Sequence, residues 1–403
     1  GKFKLIEDTK FVKGKLIGNN KGYAFVDVGN PNMPDFFVPA SKLNGAYNGD
    51  TVLINPLSKT DLSQEAEVVK VLKRNNLTLV GTYSKLKRGD GLVIPDNNKF
   101  SKQIFVSGKN SLGAISGQKV VVKITFSPKN DKLSGEIIEI LGDENDFKTL
   151  QLALIRAHKL YEEFPKEVVE EADKIPQKVH EKDIKGRLDL RDELTFTIDG
   201  ADARDFDDAV SISKKGKNYI LGVHIADVGN YVKYGTELDN EAYLRGTSSY
   251  FPNLVLPMLP KALSNGICSL NEGVDRLTLS CIMEIKPTGE IVDHKICESV
   301  IKSKKRFTYD EVYDVICDKK DALEKFAEFK ESIKTMNELS HILGEVKKAN
   351  GMLDLDIPEP YFELDENEKV KVVQPRERNE AHILIENFMV AANETVAKHS
   401  TNF

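Results

Sequence analysis

Five aspartates crowd into ten residues: Asp199, Asp202, Asp205, Asp207 and Asp208, within the run Thr197-Ile198-Asp199-Gly200-Ala201-Asp202-Ala203-Arg204-Asp205-Phe206-Asp207-Asp208-Ala209-Val210. The run passes directly into Val210-Ser211-Ile212 and then into a strongly β-like stretch at 219–228. Carboxylates this close repel one another, and burying them unpaired is expensive. Arg204 is the one basic residue inside the run. Two outcomes remain, an ordinary solvated acidic loop or a site for divalent cations. The spacing is not that of an EF-hand, because the sixth position from Asp205 is Val210 and the twelfth is Gly216. Hard oxygen donors without His or Cys suit Mg²⁺ or Mn²⁺. Two such ions about 3.5–4 Å apart can clamp an in-line displacement at phosphorus. Metal-dependent phosphodiester chemistry is therefore the sharper reading of the run.

The 403 residues imply two to four domains. Ahead of the acidic run the pattern is all-β. Short β-rich stretches at 11–16, 22–28, 35–38 and 51–54 are separated by turns such as Asn19-Asn20-Lys21-Gly22 and Asn48-Gly49-Asp50. Stretches at 77–83, 91–94, 103–106, 120–126 and 135–141 repeat the plan. Two units of about 65 residues with some five strands each suggest small Greek-key barrels. From residue 144 helical periodicity enters, at 150–158 and 165–172, and from 194 strands and helices mix. The clearest helices lie at 332–349, with Leu339, Ile342, Leu343 and Val346 on one stripe, and at 381–399, with Ile383, Phe388 and Val396. The expected architecture is multidomain: OB-like barrels at 1–72 and 73–143, then an α+β domain at 144–403.

A net charge of −6 argues against a nucleic-acid partner, but the average conceals an asymmetry. Residues 1–143 carry 21 Lys+Arg against 14 Asp+Glu, and the remainder 36 against 49. A basic front suits phosphate contact, and an acidic rear suits cations or a solvated surface. In the first unit Tyr23 and Phe25 alternate onto one face, Phe36 and Phe37 lie on a neighbouring strand, and Lys13, Lys15 and Lys21 flank them. Exposed, these rings stack bases while the lysines meet phosphates; turned inward, they fill the barrel. Lys85, Lys87 and Arg88 of the second unit suit phosphate contact or plain solvation. No apolar run approaches the roughly 18 residues of a membrane span, and no secretory signal opens the sequence. The four cysteines, Cys268, Cys281, Cys297 and Cys317, form no C-x-x-C pair. They are expected to be reduced, buried small hydrophobes in a cytoplasmic protein, with no zinc.

The acidic run resembles the signature of the RNB catalytic domain of the ribonuclease R/ribonuclease II family, and the resemblance extends over essentially the whole chain. The Tyr23–Phe25 and Phe36–Phe37 stretches resemble cold-shock RNA-binding motifs, and Phe105 lies in a poorer copy. Val223-His224-Ile225-Ala226-Asp227-Val228 resembles the family's next strand, with His224 expected as a hydrogen-bonded core histidine. Arg245-Gly246-Thr247-Ser248-Ser249-Tyr250 and Ser264-Asn265-Gly266-Ile267-Cys268-Ser269-Leu270-Asn271 resemble the ribonuclease R branch more closely and are expected in an ordered loop lining a channel.

The resemblance implies Mg²⁺-dependent hydrolysis of single-stranded and structured RNA, processively from the 3′ end, to nucleoside 5′-monophosphates. It implies that Asp199, Asp205, Asp207 and Asp208 are catalytic and hold the metal, a two-ion site in which Mn²⁺ can replace Mg²⁺. Asp207 matches the residue needed for cleavage but not for RNA binding, and Asp202 is expected to be a solvated loop acid. Tyr250 matches a tyrosine that stacks near the 3′-terminal nucleotide. Tyr309 and Glu386 match positions that recognise ribose, against readings as a core tyrosine and a surface glutamate. Leu355 stands where the family often has Phe. The implied partners are single-stranded RNA 3′ ends, with the ribosome or RNA-decay machinery, and the implied state is monomeric. The family's catalytic domain continues past His399 to further arginines and an S1 domain. With Gly1 at the start, the sequence is therefore expected to be a portion of such an enzyme. The alternative is an RNA-binding fragment or regulator of the same fold that does no chemistry.

Overall fold

The computed structural model describes residues 9–401 apart from 61–62, 76, 101, 126–132, 354–356, 358–359, 367–369 and 376. Phe126 and Leu355 lie outside the described residues, as does the Arg88 side chain. The chain divides into two compact units, Gly1–Leu160 and Tyr161–Phe403.

The first unit holds two closed five-stranded barrels. Strands β1 (Val12–Gly18), β2 (Ala24–Asp27), β3 (Phe36–Val38), β4 (Thr51–Thr60) and β5 (Ser63–Lys73) follow the order β1-β2-β3-β5-β4 around the first. All neighbours are antiparallel except β3 and β5. Strict alternation fills the interior with Leu16, Ala24, Val26, Phe36, Val38, Val52, Ile54, Ala66 and Val68. Strands β6 (Thr78–Lys85), β7 (Gly91–Pro95), β8 (Ile104–Val106), β9 (Gln118–Thr125) and β10 (Leu133–Asp143) repeat this topology, with β8 and β10 the parallel pair. Both barrels are thus OB-like. Helix α1 (Phe147–Ala157) belongs with the second barrel and not with the following α+β region. Its Ala153 packs on Val80 and Val121, and its Arg156 forks onto Glu139 at 2.8 and 2.9 Å.

The second unit opens with α2 (Lys166–Ala172) and α3 (Glu181–Ile184) and is built on a seven-stranded sheet. Its strands are β11 (Leu188–Leu190), β12 (Phe196–Asp199), β13 (Asp208–Lys215), β14 (Asn218–Ala226), β17 (Asp275–Ile285), β18 (Ile291–Lys302) and β19 (Lys305–Thr308), in the order β11-β18-β17-β14-β13-β12-β19. Two hairpins lie apart: β15 (Ser249–Phe251) with β16 (Leu254–Leu256), and β20 (Pro360–Leu364) with β21 (Val370–Pro375). The remaining helices are α4 (Glu237–Arg245), α5 (Tyr309–Ile316), α6 (Lys320–Lys325), α7 (Lys330–Ala349) and α8 (Glu380–Thr401). Phe196, Ile198, Val210, Leu221, Val223 and Met283 on the sheet meet Val312 of α5, Met336 and Leu339 of α7, and Leu384 and Phe388 of α8. Leu339 and Leu343 are buried as the α7 stripe predicts. On α8 the outcome differs: Phe388 is buried, but Ile383 and Val396 face out, and Ala391 and Ala392 take the sheet side. Small residues there let the helix lie close to the strands.

The opposite face of the sheet buries polar groups, and they satisfy one another. His224 is buried, with Nδ1 2.7 Å from Ser280 Oγ and Nε2 3.0 Å from Ser211 Oγ. Ser280 Oγ continues to Ser299 Oγ at 2.6 Å, and that to Thr278 Oγ1 at 2.6 Å. Burial pushes the imidazole down to about 4, so it is a neutral core histidine, as expected. Gly222 leaves room for this chain, because a Cβ there would collide with Ser211 Oγ and His224 Nε2. Gly222→Ala is expected to cost about 1–3 kcal/mol, measured by denaturant unfolding. Of the cysteines, Cys268 and Cys281 are buried, but Cys297 is half-buried and Cys317 exposed; all four are free thiols. Cys317 departs from the expected burial because it caps the short α5, whose inward positions are Val312 and Val315.

Candidate active site and RNA-binding face

The acidic run becomes a loop between two diverging strands. β12 pairs with β13 only at Phe196↔Val210, so the chain opens between Asp199, the last residue of β12, and Asp208, the first of β13. One buried side chain, Phe206, anchors the loop. Its N–H donates to Ser269 Oγ at 3.0 Å, and its carbonyl accepts from Leu270 N–H at 2.8 Å. Ser269 in turn donates to the Arg204 carbonyl at 3.3 Å. The stretch at 264–271, expected to line a channel, thus clasps the acidic loop. Arg276, itself buried, holds that stretch through Ser269 O at 2.7 Å and Gly266 O at 3.1 Å. On the other side Arg306 donates to the carbonyls of Gly200 and Ala201 and lies 5.4 Å from the Phe206 ring centroid.

Held this way, the aspartates crowd one another. Burial, then the Asp208 charge, pushes Asp199 up to about 7, with the Thr197 hydroxyl and then Arg306 pulling the other way. Burial, then Asp207, pushes Asp208 up to about 6. Asp207 is open to solvent on one side, and desolvation followed by Asp205 still raises it. Asp199 Oδ2 is buried and lacks a well-formed hydrogen bond among the described residues, although the Thr197 hydroxyl lies close enough to favour the carboxylate. A carboxylate oxygen in that position calls for a cation. Among the described residues no three His, Cys, Asp or Glu side chains converge into a ready-made metal cage. The donor set, the under-bonded oxygen and the mutual crowding nonetheless fit a hard divalent ion. Asp202 is exposed, in keeping with a loop acid, and lines a separate cavity.

Tyr250 stands on β15 with 69% of its surface exposed, its Oη 3.5 Å from Asp205 Oδ2. Burial of its hydroxyl end and the Asp205 charge raise the phenol. Arg245 fixes the approach to this hairpin, bonding Glu241 at 2.8 Å and the carbonyls of Tyr161, Glu163 and Pro257 at 3.0, 2.7 and 3.1 Å. Tyr309 opens α5, where Thr308 and Glu311 form a capping box, and β12–β19 pairing sets Thr308 beside Asp199. The Tyr309 ring stacks on His382 at 3.9 Å and lines a cavity of about 700 Å³ with Gly200, Asp202 and Tyr361. Glu386 lies elsewhere, on the exposed side of α8, paired with Arg378 and 3.6 Å from Lys347, beside a cavity of about 200 Å³. The structure therefore brings Tyr309, but not Glu386, to the edge of the acidic loop.

On the first barrel Tyr23, Phe25 and Phe37 form an outward cluster, with ring centroids 5.5–5.8 Å apart. Lys13 and Lys15 are exposed on the adjoining strand β1. Phe36 corrects the expectation. It is 2% exposed and packs in the barrel core, because alternation along β3 sends Phe36 in and Phe37 out. On the second barrel Phe105 is exposed.

Comparison with known proteins decides the lineage. Residues 187–403 match the RNB domain, 92–165 the Cold shock domain and 14–71 the Ribonuclease B OB domain. The chain belongs to the RNB family. Ribonuclease R of Thermotoga maritima is 42% identical over 98% of this chain and 56% of its own length. Ribonuclease R 1 of Lactococcus lactis is 38% identical over 99% of this chain and 51% of its own. The chain spans about half the length of these curated relatives. A solved structure, Mycoplasma genitalium RNase R in complex with ribose methylated single-stranded RNA, superimposes with a TM-score of 0.86 at 28% identity, over 97% of this chain and 62% of that one. Arg245 and Ser269 lie in stretches that the sequence marks as channel-lining, but without their supporting roles, and Arg276 and Arg306 carry no such mark. A lone arginine such as Arg276 or Arg306 carries no signal until the fold places it.

Proposed function

We propose that this RNB chain carries the metal-binding carboxylates and part of the RNA grip of a Mg²⁺-dependent hydrolytic exoribonuclease. That enzyme degrades single-stranded and structured RNA processively from the 3′ end to nucleoside 5′-monophosphates. The observation that carries the reading is the crowding of Asp199, Asp207 and Asp208 around an under-bonded buried oxygen. Mg²⁺, when bound, supplies charge neutralisation at the phosphate and activation of water. Asp199 and Asp208, at the two strand ends, and Asp205 and Asp207, in the loop, would hold it. Tyr250 offers a flat, exposed ring beside Asp205 for the last base, which grips without reading sequence. The hydroxyl of Tyr309 and the carboxylate of Glu386 suit a ribose 2′-hydroxyl, which donates and accepts.

The test compares Mg²⁺-dependent release of mononucleotides from a 3′-tailed RNA by this chain and by a protein carrying a full-length RNB domain. Release by both supports the reading for the chain itself. RNA binding without cleavage by this chain, with cleavage by the longer protein, assigns the chain the gripping role alone. Absence of cleavage by either overturns the reading. With the longer protein, Tyr309→Phe and Glu386→Ala are each expected to lower the preference for RNA over DNA by about 5- to 10-fold, the loss of one hydrogen bond to a sugar. A preference equal to wild type removes that residue from sugar recognition.

A further inference from the structure

Where the two barrels of the first unit meet, a cavity of about 510 Å³ opens, large enough for one nucleotide. Its floor is rigid. Tyr47 stacks on Phe100 at 5.1 Å, and the Arg74 guanidinium, paired to Asp50, lies 5.5 Å from the Tyr47 ring centroid. Gly18 allows the close approach, since a Cβ there would strike the Lys99 carbonyl. Lys99 and Lys102 border the cavity, and among the described residues no carboxylate lines it. Three carboxamides line it too, and the backbone aims them. Asn19 Oδ1 accepts from Lys21 N–H at 2.9 Å, Asn44 Nδ2 donates to Val68 O at 2.6 Å, and Asn48 Oδ1 accepts from Gly18 N–H at 2.9 Å. Each bond engages one end of an amide, which leaves Nδ2 of Asn19 as a fixed donor and Oδ1 of Asn44 as a fixed acceptor. Tyr23 is shared between this cavity and the outward cluster with Phe25 and Phe37.

We propose that this seam is a nucleotide-binding subsite that continues the path of single-stranded RNA from the aromatic cluster. One base enters against the Asn19 and Asn44 amides, and its phosphate meets Lys99. The proposal rests on the RNA-binding reading of the first barrel and adds a second contact point to it. A lysine point charge beside fixed amide groups suits a phosphate next to a hydrogen-bonding base edge. Ser41 borders the cavity from an exposed turn, so a large side chain there fills the space without entering either core.

The test titrates an oligouridylate of about twelve nucleotides into this chain across a range of salt, with Lys99→Gln, Ser41→Phe and Phe25→Ala. Lys99→Gln is expected to flatten the slope of log K against log salt by about 0.7, the loss of one phosphate contact to a single strand. Ser41→Phe is expected to weaken binding about fivefold at fixed salt with an unchanged melting temperature. Both effects are required, and the absence of either overturns the subsite. Phe25→Ala separates the two ideas, because removing a stacked base contact weakens binding by about fivefold or more. If Phe25→Ala weakens binding and the seam variants behave as wild type, only the subsite falls. If Phe25→Ala binds as wild type, or the chain binds no RNA, the reading of the first barrel falls and the subsite with it.

Discussion

Asp207→Asn, in a protein with a full-length RNB domain, is expected to lower Mg²⁺-dependent RNA cleavage by about 10³-fold or more. RNA affinity should stay at or above that of wild type. The substitution keeps the side chain's shape and removes one negative charge from a cluster that already repels itself: Asp205 raises Asp207, and Asp207 raises Asp208. The fold therefore loses nothing it needs. Without metal the variant should melt at the same temperature as wild type or slightly higher, since an active site that concentrates like charge sacrifices stability for chemistry. RNA, itself an anion, meets less repulsion. On the proposed mechanism only the chemical step depends on this carboxylate. Single-turnover cleavage, RNA binding and melting measured together would show this. Cleavage within about tenfold of wild type would remove Asp207 from the metal site. Cleavage lost together with RNA binding and stability would make Asp207 a structural residue.

The acidic run was legible in the sequence because its chemistry is local: five carboxylates ahead of a β pattern leave few arrangements that avoid a large penalty. The barrels were legible for a similar reason, since inward Leu16, Val26, Val38 and Ile54 alternate with outward residues that include Lys15, Phe25, Asp27, Phe37 and Asn55. Strand β5 was harder to see. Its inward residues include Gln64 and Ala66, neither a strong strand former, and β5 exists because β3 and β4 both pair with it. Phe36 and Phe37 show the limit within a single dipeptide. Sequence marks both as aromatic, and only the strand's phase tells which ring is core. The supports of the site are out of reach for another reason. Arg306 is 105 or more residues from the carbonyls it holds, and Ser269 is 63 from the Phe206 amide. Contacts of that range follow from strand order, in which β19 lies beside β12, and not from any pattern in the neighbouring residues. Glu386 illustrates the converse. A motif assigns it to ribose, while the folded chain engages it with Arg378 and Lys347, so any sugar contact must compete with an existing ion pair.

The same crowding makes stability depend on pH and metal together. Asp199 and Asp208 have folded pKa values near 7 and 6, above the ordinary 3.8. Between those limits the folded chain binds more protons than the unfolded one, so stability falls as pH rises. The contribution of these two groups is fully present below about 3.8 and is lost as pH climbs through about 6 and then 7. The change is on the order of a few kcal/mol for the pair. A divalent cation reverses it, because the metal takes the place of the protons on the same oxygens. Millimolar Mg²⁺ is therefore expected to raise the melting temperature by several degrees at pH 8 and by little at pH 5.5. The metal-free chain should be relatively more stable at the lower pH as far as these two groups decide it. Asp208→Asn removes one titrating group and one of the proposed ligands, so it should shrink both the pH dependence and the Mg²⁺ shift. Scanning calorimetry at the two pH values, with Mg²⁺ and with a chelator, measures all of these. A Mg²⁺ shift of equal size at both pH values, or one that survives Asp208→Asn unchanged, would place the cation away from the ends of β12 and β13.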